Sequence, residues 1–361
     1  DYEVGDREYI KETSLDFCRK QTLKEAMMKS VGLLQTCSFD EISNEINNAL
    51  KLGSDNNFGY DYLADFEARF VPKHRKPVTT GWQDLDNITG GGLGRNELGV
   101  VIAPTGAGKS MVLVHLGAQA LKEGKTVVHY TLELQETVIA NRYDSCITGY
   151  PLGDIINFKE EVYDEIKDIE GSLIIKEYPT KSASTNTIKS HLSRLVKRGI
   201  NPGMVIIDYG DLLKPVVVRK EKRNELESIY EEMRAISAEF ECPVWTASQT
   251  NRSGLSAEVI TMEQISEAFN KCFVADFIFS VSRTIEDKQN KIFIAKNRNG
   301  PDGMVYNIFM DTSNVNIKIL PKIPNQSGNS NSAIVTAPVA LTATQQKDLL
   351  KNKYTKLRRK R

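Results

Sequence analysis

Short apolar runs alternate with amphipathic stretches through the middle of the chain, and that alternation predicts its architecture. Eight candidate strands lie between Thr79 and about Leu320: Leu98–Ala103, Thr126–Thr131, Leu173–Ile175, Met204–Ile207, Pro243–Ala247, Phe277–Val281, Ile292–Ala295 and Val305–Phe309. Several are apolar at nearly every position, as strands covered on both faces are. Between them fall helical repeats such as Asn224–Phe240, where Leu226, Ile229, Met233, Ile236 and Phe240 share one side. Strand, helix, strand in that order predicts an α/β fold: a mostly parallel sheet with right-handed crossovers and flanking helices.

The two ends are patterned differently. Residues 1–75 are polar and helical, and Ser38-Phe-Asp-Glu41 fits a capping box. Ile42, Ile46, Ala49 and Leu50 then share a helical face before Gly53, and Asp55–Tyr62, rich in Gly and Asn, reads as a linker. Residues 321–346 are low in complexity and predicted to be disordered; 347–361 form a basic tail, KDLLKNKYTKLRRKR. The predicted organisation is therefore a helical region over 1–75, an α/β domain over 76–320, a disordered linker and the tail.

Composition narrows the class. With 361 residues, 40% hydrophobic and 26% charged, the chain can bury a sizeable core, and neither wholesale disorder nor a fibrous protein fits. No run approaches the roughly 18–20 apolar residues of a membrane span, and the acidic start has no secretory h-region. The missing initial Met predicts a fragment or a processed product. Five widely spaced cysteines without a Cys-x-x-Cys, and four histidines without metal-ligand spacing, predict a reducing, cytoplasm-like setting and no structural zinc. The charges cancel, 47 basic against 47 acidic, which at first argues against a nucleic-acid partner. The total conceals an uneven distribution. The tail holds eight basic residues and one acidic, leaving residues 1–346 at −7, while Lys214–Arg223 holds five basic and one acidic. The tail is either a solubilising end or a tethered arm for DNA or a partner.

The strongest local signal is Ala103-Pro104-Thr105-Gly106-Ala107-Gly108-Lys109-Ser110, a phosphate-loop pattern with Ala at its first glycine. A predicted strand precedes it, and a predicted helix, Met111–Leu121, follows. In that setting Gly106 and Gly108 let backbone N–H groups curl around phosphates, and the helix N-terminus favours their charge. Lys109 can reach the β- and γ-phosphates, and the Ser110 hydroxyl can hold Mg²⁺. The plainer reading is a Gly-rich turn before an ordinary helix.

Three further strand ends carry polar groups. Met204-Val-Ile-Ile-Asp208 delivers a carboxylate to the sheet edge where ligands bind in open α/β folds, which makes Asp208 the candidate on the magnesium side and Asp211 a weaker competitor. An Asp there can equally be a turn or cap residue. Glu133 follows Val127-Val-His-Tyr-Thr-Leu and can polarise water; otherwise it is a first-turn acid of a helix over Leu134–Ala140. Gln249 ends Pro243-Val-Trp-Thr-Ala-Ser and can hydrogen-bond a γ-phosphate, or be a surface turn.

As a set these blocks resemble a known family. Thr80-Gly-Trp-Gln-Asp-Leu-Asp86 and Thr89-Gly-Gly-Gly-Leu93 lead into the loop as in RecA-fold ATPases. Tyr130-Thr-Leu-Glu-Leu, Val205-Ile-Ile-Asp-Tyr209, Ser248-Gln-Thr-Asn-Arg252 and Ala295-Lys-Asn-Arg-Asn-Gly-Pro301 follow in the order found in DnaB-type replicative helicases. Val244-Trp-Thr-Ala and Lys176-Glu-Tyr-Pro-Thr180 look especially like the T-even-type phage branch. The resemblance covers about residues 60–320.

It implies a homohexameric, ATP- and Mg²⁺-dependent DNA helicase that moves 5′→3′ on single-stranded DNA, in the cytoplasm of a phage-infected bacterial cell. Lys109 and Ser110 would bind phosphate and Mg²⁺, Glu133 would activate water, Asp208 would act on the metal side and Gln249 would sense the γ-phosphate. Lys296 and Arg298 would act in trans on a neighbour's ATP; without the resemblance they read as surface charge on a hairpin. Lys214, Arg219, Lys220, Lys222 and Arg223 occupy the position of a family DNA-binding loop, and Arg252 is a second candidate. Residues 8–53 would be linker-type helices, too short for a whole N-terminal collar, so primase binding and loader binding are open. A RecA-like recombinase and a non-motor assembly ATPase are the competing readings.

Overall fold

The computed structural model describes residues 2–34, 39–51, 62–63, 66–67, 75–219, 221–250, 259–260, 272–283 and 290–321. Ser38, most of the Asp55–Tyr62 linker and residues 322–361, including the basic tail, lie outside them. The chain divides into two compact units, 1–74 and 75–361.

In the first unit α1 (Tyr2–Leu34) packs against α2 (Phe39–Lys51). Ala26 and Ser30 of α1 and Ala49 of α2 are buried, small side chains that let two helices approach. The Ser30 hydroxyl donates to the Ala26 carbonyl at 2.7 Å, so burial leaves no polar atom unmet there. Met27, Met28 and Val31 are exposed.

The second unit is built on one nine-stranded sheet. Its elements run α3 (Gln83–Thr89), β1 (Leu98–Ala103), α4 (Lys109–Lys122), β2 (Thr126–Thr131), α5 (Glu136–Thr148), α6 (Lys159–Ile166), β3 (Ser172–Glu177), α7 (Thr185–Lys197), β4 (Met204–Asp208), α8 (Lys222–Glu239), β5 (Val244–Gln249), β6 (Phe277–Arg283), β7 (Asn290–Asn297), β8 (Val305–Asp311) and β9 (Asn316–Ile319). The spatial order is β3-β2-β4-β5-β1-β6-β7-β8-β9, which puts β1 at the centre. From β3 to β6 every pairing is parallel.

The expected mostly parallel sheet is found, and its antiparallel part lies beyond β6: β6–β7, β7–β8 and β8–β9 are antiparallel. The reason is connection length. Six, seven and four residues separate these strands, and a parallel crossover needs a dozen or more. The ninth strand, Asn316–Ile319, was not expected; its four residues are too few to show a period. Pro243 stands outside β5, having no N–H to give to the ladder.

Successive side chains along the buried strands serve opposite faces. Val101, Ala103, Val127, Ile206 and Trp245 pack with α3, α4 and α5 residues such as Leu85, Leu113 and Tyr143. Leu98, Val100, Ile102, Val128 and Val205 pack with Ile188 and Leu192 of α7 and Ile229 and Met233 of α8. The continuous apolar runs in the sequence are the signature of this double burial. Close packing reaches its limit at Gly99 of β1. A Cβ there would lie 2.4 Å from the Trp245 ring, which sits edge-on to Phe277 and Phe279 with centroids 6.2 and 5.9 Å away. Among the described residues no helix is long and apolar enough to cross a membrane.

Candidate active site

Four strand ends converge on the edge from which the phosphate loop leaves. Ala103 ends β1 beside Gln249 of β5, and Thr131 of β2 pairs with Asp208 of β4. Between Ala103 and α4 the chain turns through Pro104, Thr105, Gly106 and Ala107. Gly108 caps α4 at φ 91°, a conformation that disfavours any residue with a Cβ. The space is closed as well, since a Cβ on Gly108 would lie 3.0 Å from the Met310 sulfur of β8. The helix starts at Lys109, two residues before the expected Met111, so Lys109 and Ser110 belong to its first turn.

Lys109 folds back on its own loop, its Nζ donating to the carbonyls of Ala103 (3.4 Å) and Pro104 (3.2 Å). Burial lowers its pKa, while Glu133, Asp208 and Asp211 act in the opposite direction. The Gln249 amide donates to the Thr105 hydroxyl, joining the end of β5 to the loop. Asp208 is fully buried, and neither carboxylate oxygen has a donor in hydrogen-bonding geometry. Burial pushes its pKa up to about 6, an effect the nearby Ser110 hydroxyl, Arg142 and Lys109 partly offset. Asp211, the competitor, accepts a bond from Tyr230 at 2.9 Å.

A buried carboxylate facing the hydroxyl of a first-turn serine is chemistry suited to a hard cation with oxygen ligands. The described residues contain no cluster of three or more acidic, His or Cys side chains able to hold a metal alone. Ser110 and Asp208 therefore fit an ion whose remaining ligands are phosphate and water, as Mg²⁺ is usually bound.

Glu133 is exposed and lies outside both neighbouring elements, so the first-turn helix reading fails. Thr131 explains why α5 begins only at Glu136: its hydroxyl donates to the Leu134 carbonyl (2.7 Å) and accepts the Leu134 N–H (3.1 Å), stapling a turn. The Leu132 N–H bonds the Asp208 carbonyl at 2.9 Å, and Thr180 donates to the Leu132 carbonyl at 2.7 Å. Glu133 is thus carried on a loop pinned on both sides.

Lys296 and Arg298 are not brought to this edge. They sit beside Asp276 and Phe277, at the end of the sheet where β1 starts. Arg298 is level with Leu98, five strand residues or about 16 Å from Ala103, and Lys296, paired with Ile278 beside Val100, is three residues or about 10 Å from it. The Lys296 Nζ donates to the Phe273 carbonyl and lies 4.4 Å from the centre of that ring. Of the basic-loop residues, Lys214, Arg219, Lys222 and Arg223 are exposed, and the Arg219 N–H is tied to Glu225 at 2.9 Å. Lys220 and Arg252 lie outside the described residues.

Sequence reasoning missed several contributors. Arg142 of α5 is half-buried and electrostatically coupled to Asp208 and Glu133; burial lowers its pKa and the two carboxylates oppose this. In sequence it is one arginine in an unremarkable helix. Asn297 donates to the carbonyls of Ile88 (2.8 Å) and Pro301 (3.1 Å), and Asn299 to Glu97 (3.1 Å), so the asparagines within the Lys-Asn-Arg-Asn block hold the hairpin in place.

A phosphate loop leaving the central strand of an open, mostly parallel sheet is a phosphate-loop ATPase arrangement, and here it fits the RecA-like class. Within it, the chain belongs to the family described as DnaB-like helicase C terminal domain, whose model matches residues 77–315. It is 34% identical over 254 residues to a DnaB-like replicative helicase of Enterobacteria phage T4, covering 66% of this chain and 53% of that protein. It is 26% identical to the replicative DNA helicase DnaB of Geobacillus stearothermophilus, covering 66% of this chain and 55% of that one. The chain thus spans about half the length of these relatives. A solved DnaB-like replicative helicase, described together with its interactions with primase, matches at TM-score 0.66 and 18% identity over 86% of this chain and 77% of its own. A second solved structure, described as an ATPase domain, matches at TM-score 0.59 and 20% identity, over 72% of this chain and 96% of its own.

Proposed function

We propose that this chain is the ATP-driven motor of a ring-shaped replicative DNA helicase, a homohexamer that moves 5′→3′ along single-stranded DNA in the host cytoplasm. The observation that carries the reading is a site divided within one subunit. Phosphate loop, Asp208, Glu133 and Gln249 meet at one sheet edge, while Arg298 lies at the opposite end of the sheet and Lys296 partway along it, away from their own loop. A second subunit completes the set.

Lys109 and the α4 N-terminus bind phosphate charge. Glu133, exposed on its pinned loop, accepts a proton from the attacking water, and Gln249 hydrogen-bonds the γ-phosphate from beside Thr105. Arg298 and Lys296 of the adjoining subunit stabilise the charge that develops on the transferring group. Ser110 and Asp208 would hold Mg²⁺, which would supply positive charge to offset that of the phosphates. Lys214, Arg219, Lys220, Lys222, Arg223 and Arg252 line the ring channel and contact the DNA backbone, where charge tracks a strand without reading its sequence. α1 and α2 serve as linker helices, and primase and a loader are the expected further partners.

The test is unwinding of a forked DNA with a 5′ tail, with Lys109→Ala as control. ATP-dependent unwinding by the wild type alone is expected; no unwinding by the full-length protein overturns the helicase reading. Electron microscopy with ATP and DNA is expected to show closed rings, whereas open filaments would favour a recombinase.

A further inference from the structure

Asp276, immediately before β6, is a buried carboxylate shared by two arginines from distant elements. Arg234 of α8 grips it with two bonds, Nε to Oδ2 at 3.0 Å and Nη2 to Oδ1 at 3.1 Å. Arg298 approaches Oδ1 through Nη1 at 3.1 Å. The Leu98 N–H donates to Oδ2 at 3.0 Å. The main chain repeats the connection: the Asp276 N–H bonds the Leu98 carbonyl (2.8 Å), and the Arg298 N–H bonds the Asp276 carbonyl (3.0 Å).

One cation suffices to neutralise a buried carboxylate, and Arg234 supplies it in the favourable bidentate geometry. Charge balance therefore does not require Arg298. Its side chain is 45% exposed and engages through one nitrogen, which leaves most of its donor fork for another acceptor. Two positive charges on one negative leave an excess at the surface on the Arg298 side. A long, exposed arginine otherwise samples many rotamers, and ordering it on demand opposes each encounter with a phosphate. Its backbone and its side chain are both fixed by one residue, and that residue is bonded to β1, the strand that feeds the phosphate loop.

We propose that Asp276 is a positioning residue that holds the Arg298 guanidinium at the subunit surface for use at a neighbour's nucleotide, with Arg234 orienting the carboxylate. This rests on the trans role of Arg298 given above, and deepens it. Asp276 touches no nucleotide and acts through Arg298.

The decisive variant is Asp276→Asn in the full chain, which keeps an acceptor for the Leu98 amide and removes the charge. DNA-stimulated kcat is expected to fall about 10- to 100-fold, the usual cost of a misplaced catalytic group, with KM for ATP and ATP-analogue binding within about twofold of wild type. Mixing with Lys109→Ala subunits, which lack a working loop but carry an intact Arg298, should restore hydrolysis in the Asp276→Asn subunits. A defect in folding is not repaired by a neighbour. Should Asp276→Asn fail to bind the analogue, Arg234→Gln replaces it, with a loss of about threefold and the same rescue expected.

Normal or raised turnover overturns the proposal, raised turnover meaning that Asp276 restrains Arg298 instead of presenting it. A loss without rescue, where Arg298→Ala is rescued under the same conditions, overturns it too. If Arg298→Ala itself is not rescued, the trans role falls and this inference falls with it.

Discussion

From β3 to β1 the sheet is parallel, its inner strands β2, β4, β5 and β1 are covered on both faces, and its functional groups sit at or just past strand ends. From β6 to β9 the pairings are antiparallel, burial comes to alternate along β7 and β8, and the functional groups are held by side-chain bonds. On the first side geometry comes from the backbone: a glycine with positive φ at the loop, a threonine-stapled turn under Glu133, a register pair under Asp208. On the second it comes from Asp276, Arg234, Asn297 and Asn299. A site that must close around phosphates gains from rigid main chain, whereas an arginine that must cross to another subunit needs a support it can share.

Variants that break each side separately should behave differently. Arg298→Ala, on the antiparallel side, is expected to lower DNA-stimulated hydrolysis roughly 10³-fold or more, with nucleotide binding retained and activity restored by mixing with Lys109→Ala. Steady-state ATPase assays across mixing ratios measure this. Glu133→Gln, on the parallel side, is expected to lower turnover about 10²- to 10⁴-fold with ATP binding intact, and not to be rescued by any partner subunit, since it acts on its own nucleotide. Rescue of Glu133→Gln in trans would erase the distinction.

Acid should strike the parallel side first. His115 is held neutral by burial with a pKa of about 4, and His129 with one of about 3. Both are depressed below the ordinary 6.5, so the unfolded chain takes up protons that the folded one refuses. Their stabilising contribution is complete above about pH 6.5 and is lost as pH falls through the folded values, at about 1.4 kcal/mol per pH unit for each histidine. Denaturant titrations at pH 7 and pH 5 should show a smaller loss in His115→Gln than in the wild type, while Asp208, raised to about 6, acts in the opposite direction. The smallest effect is expected from Asn297→Ala, which strips two carbonyls of their donor: about 1–2 kcal/mol of stability, read as a drop of a few degrees in Tm with ATP binding unchanged.

The parallel side was also the readable side. β1 and β2 are placed residue for residue by their apolar runs, and the loop between β1 and α4 carries a spacing that physics constrains tightly. On the antiparallel side the pattern places β6, β7 and β8 but two to four residues short, and it misses β9, which has only four residues. Asp276 was invisible because its meaning depends on Arg234 and Arg298, 42 and 22 positions away along the chain. Arg142 was invisible for the same reason, since only the fold brings α5 against Asp208 and Glu133. Long-range charge partnerships leave no period in a sequence.

Gly99 and Trp245 carry a consequence for how this chain can change over time. A methyl group at position 99 has nowhere to go while the indole lies against β1, and a smaller residue at 245 opens a void among Phe277 and Phe279 while glycine remains. Each substitution alone is damaging; together they compensate. Descendants of this sequence should therefore keep both residues or replace both, and a library randomised at the two positions should return survivors along that diagonal, with combined side-chain volume held nearly constant.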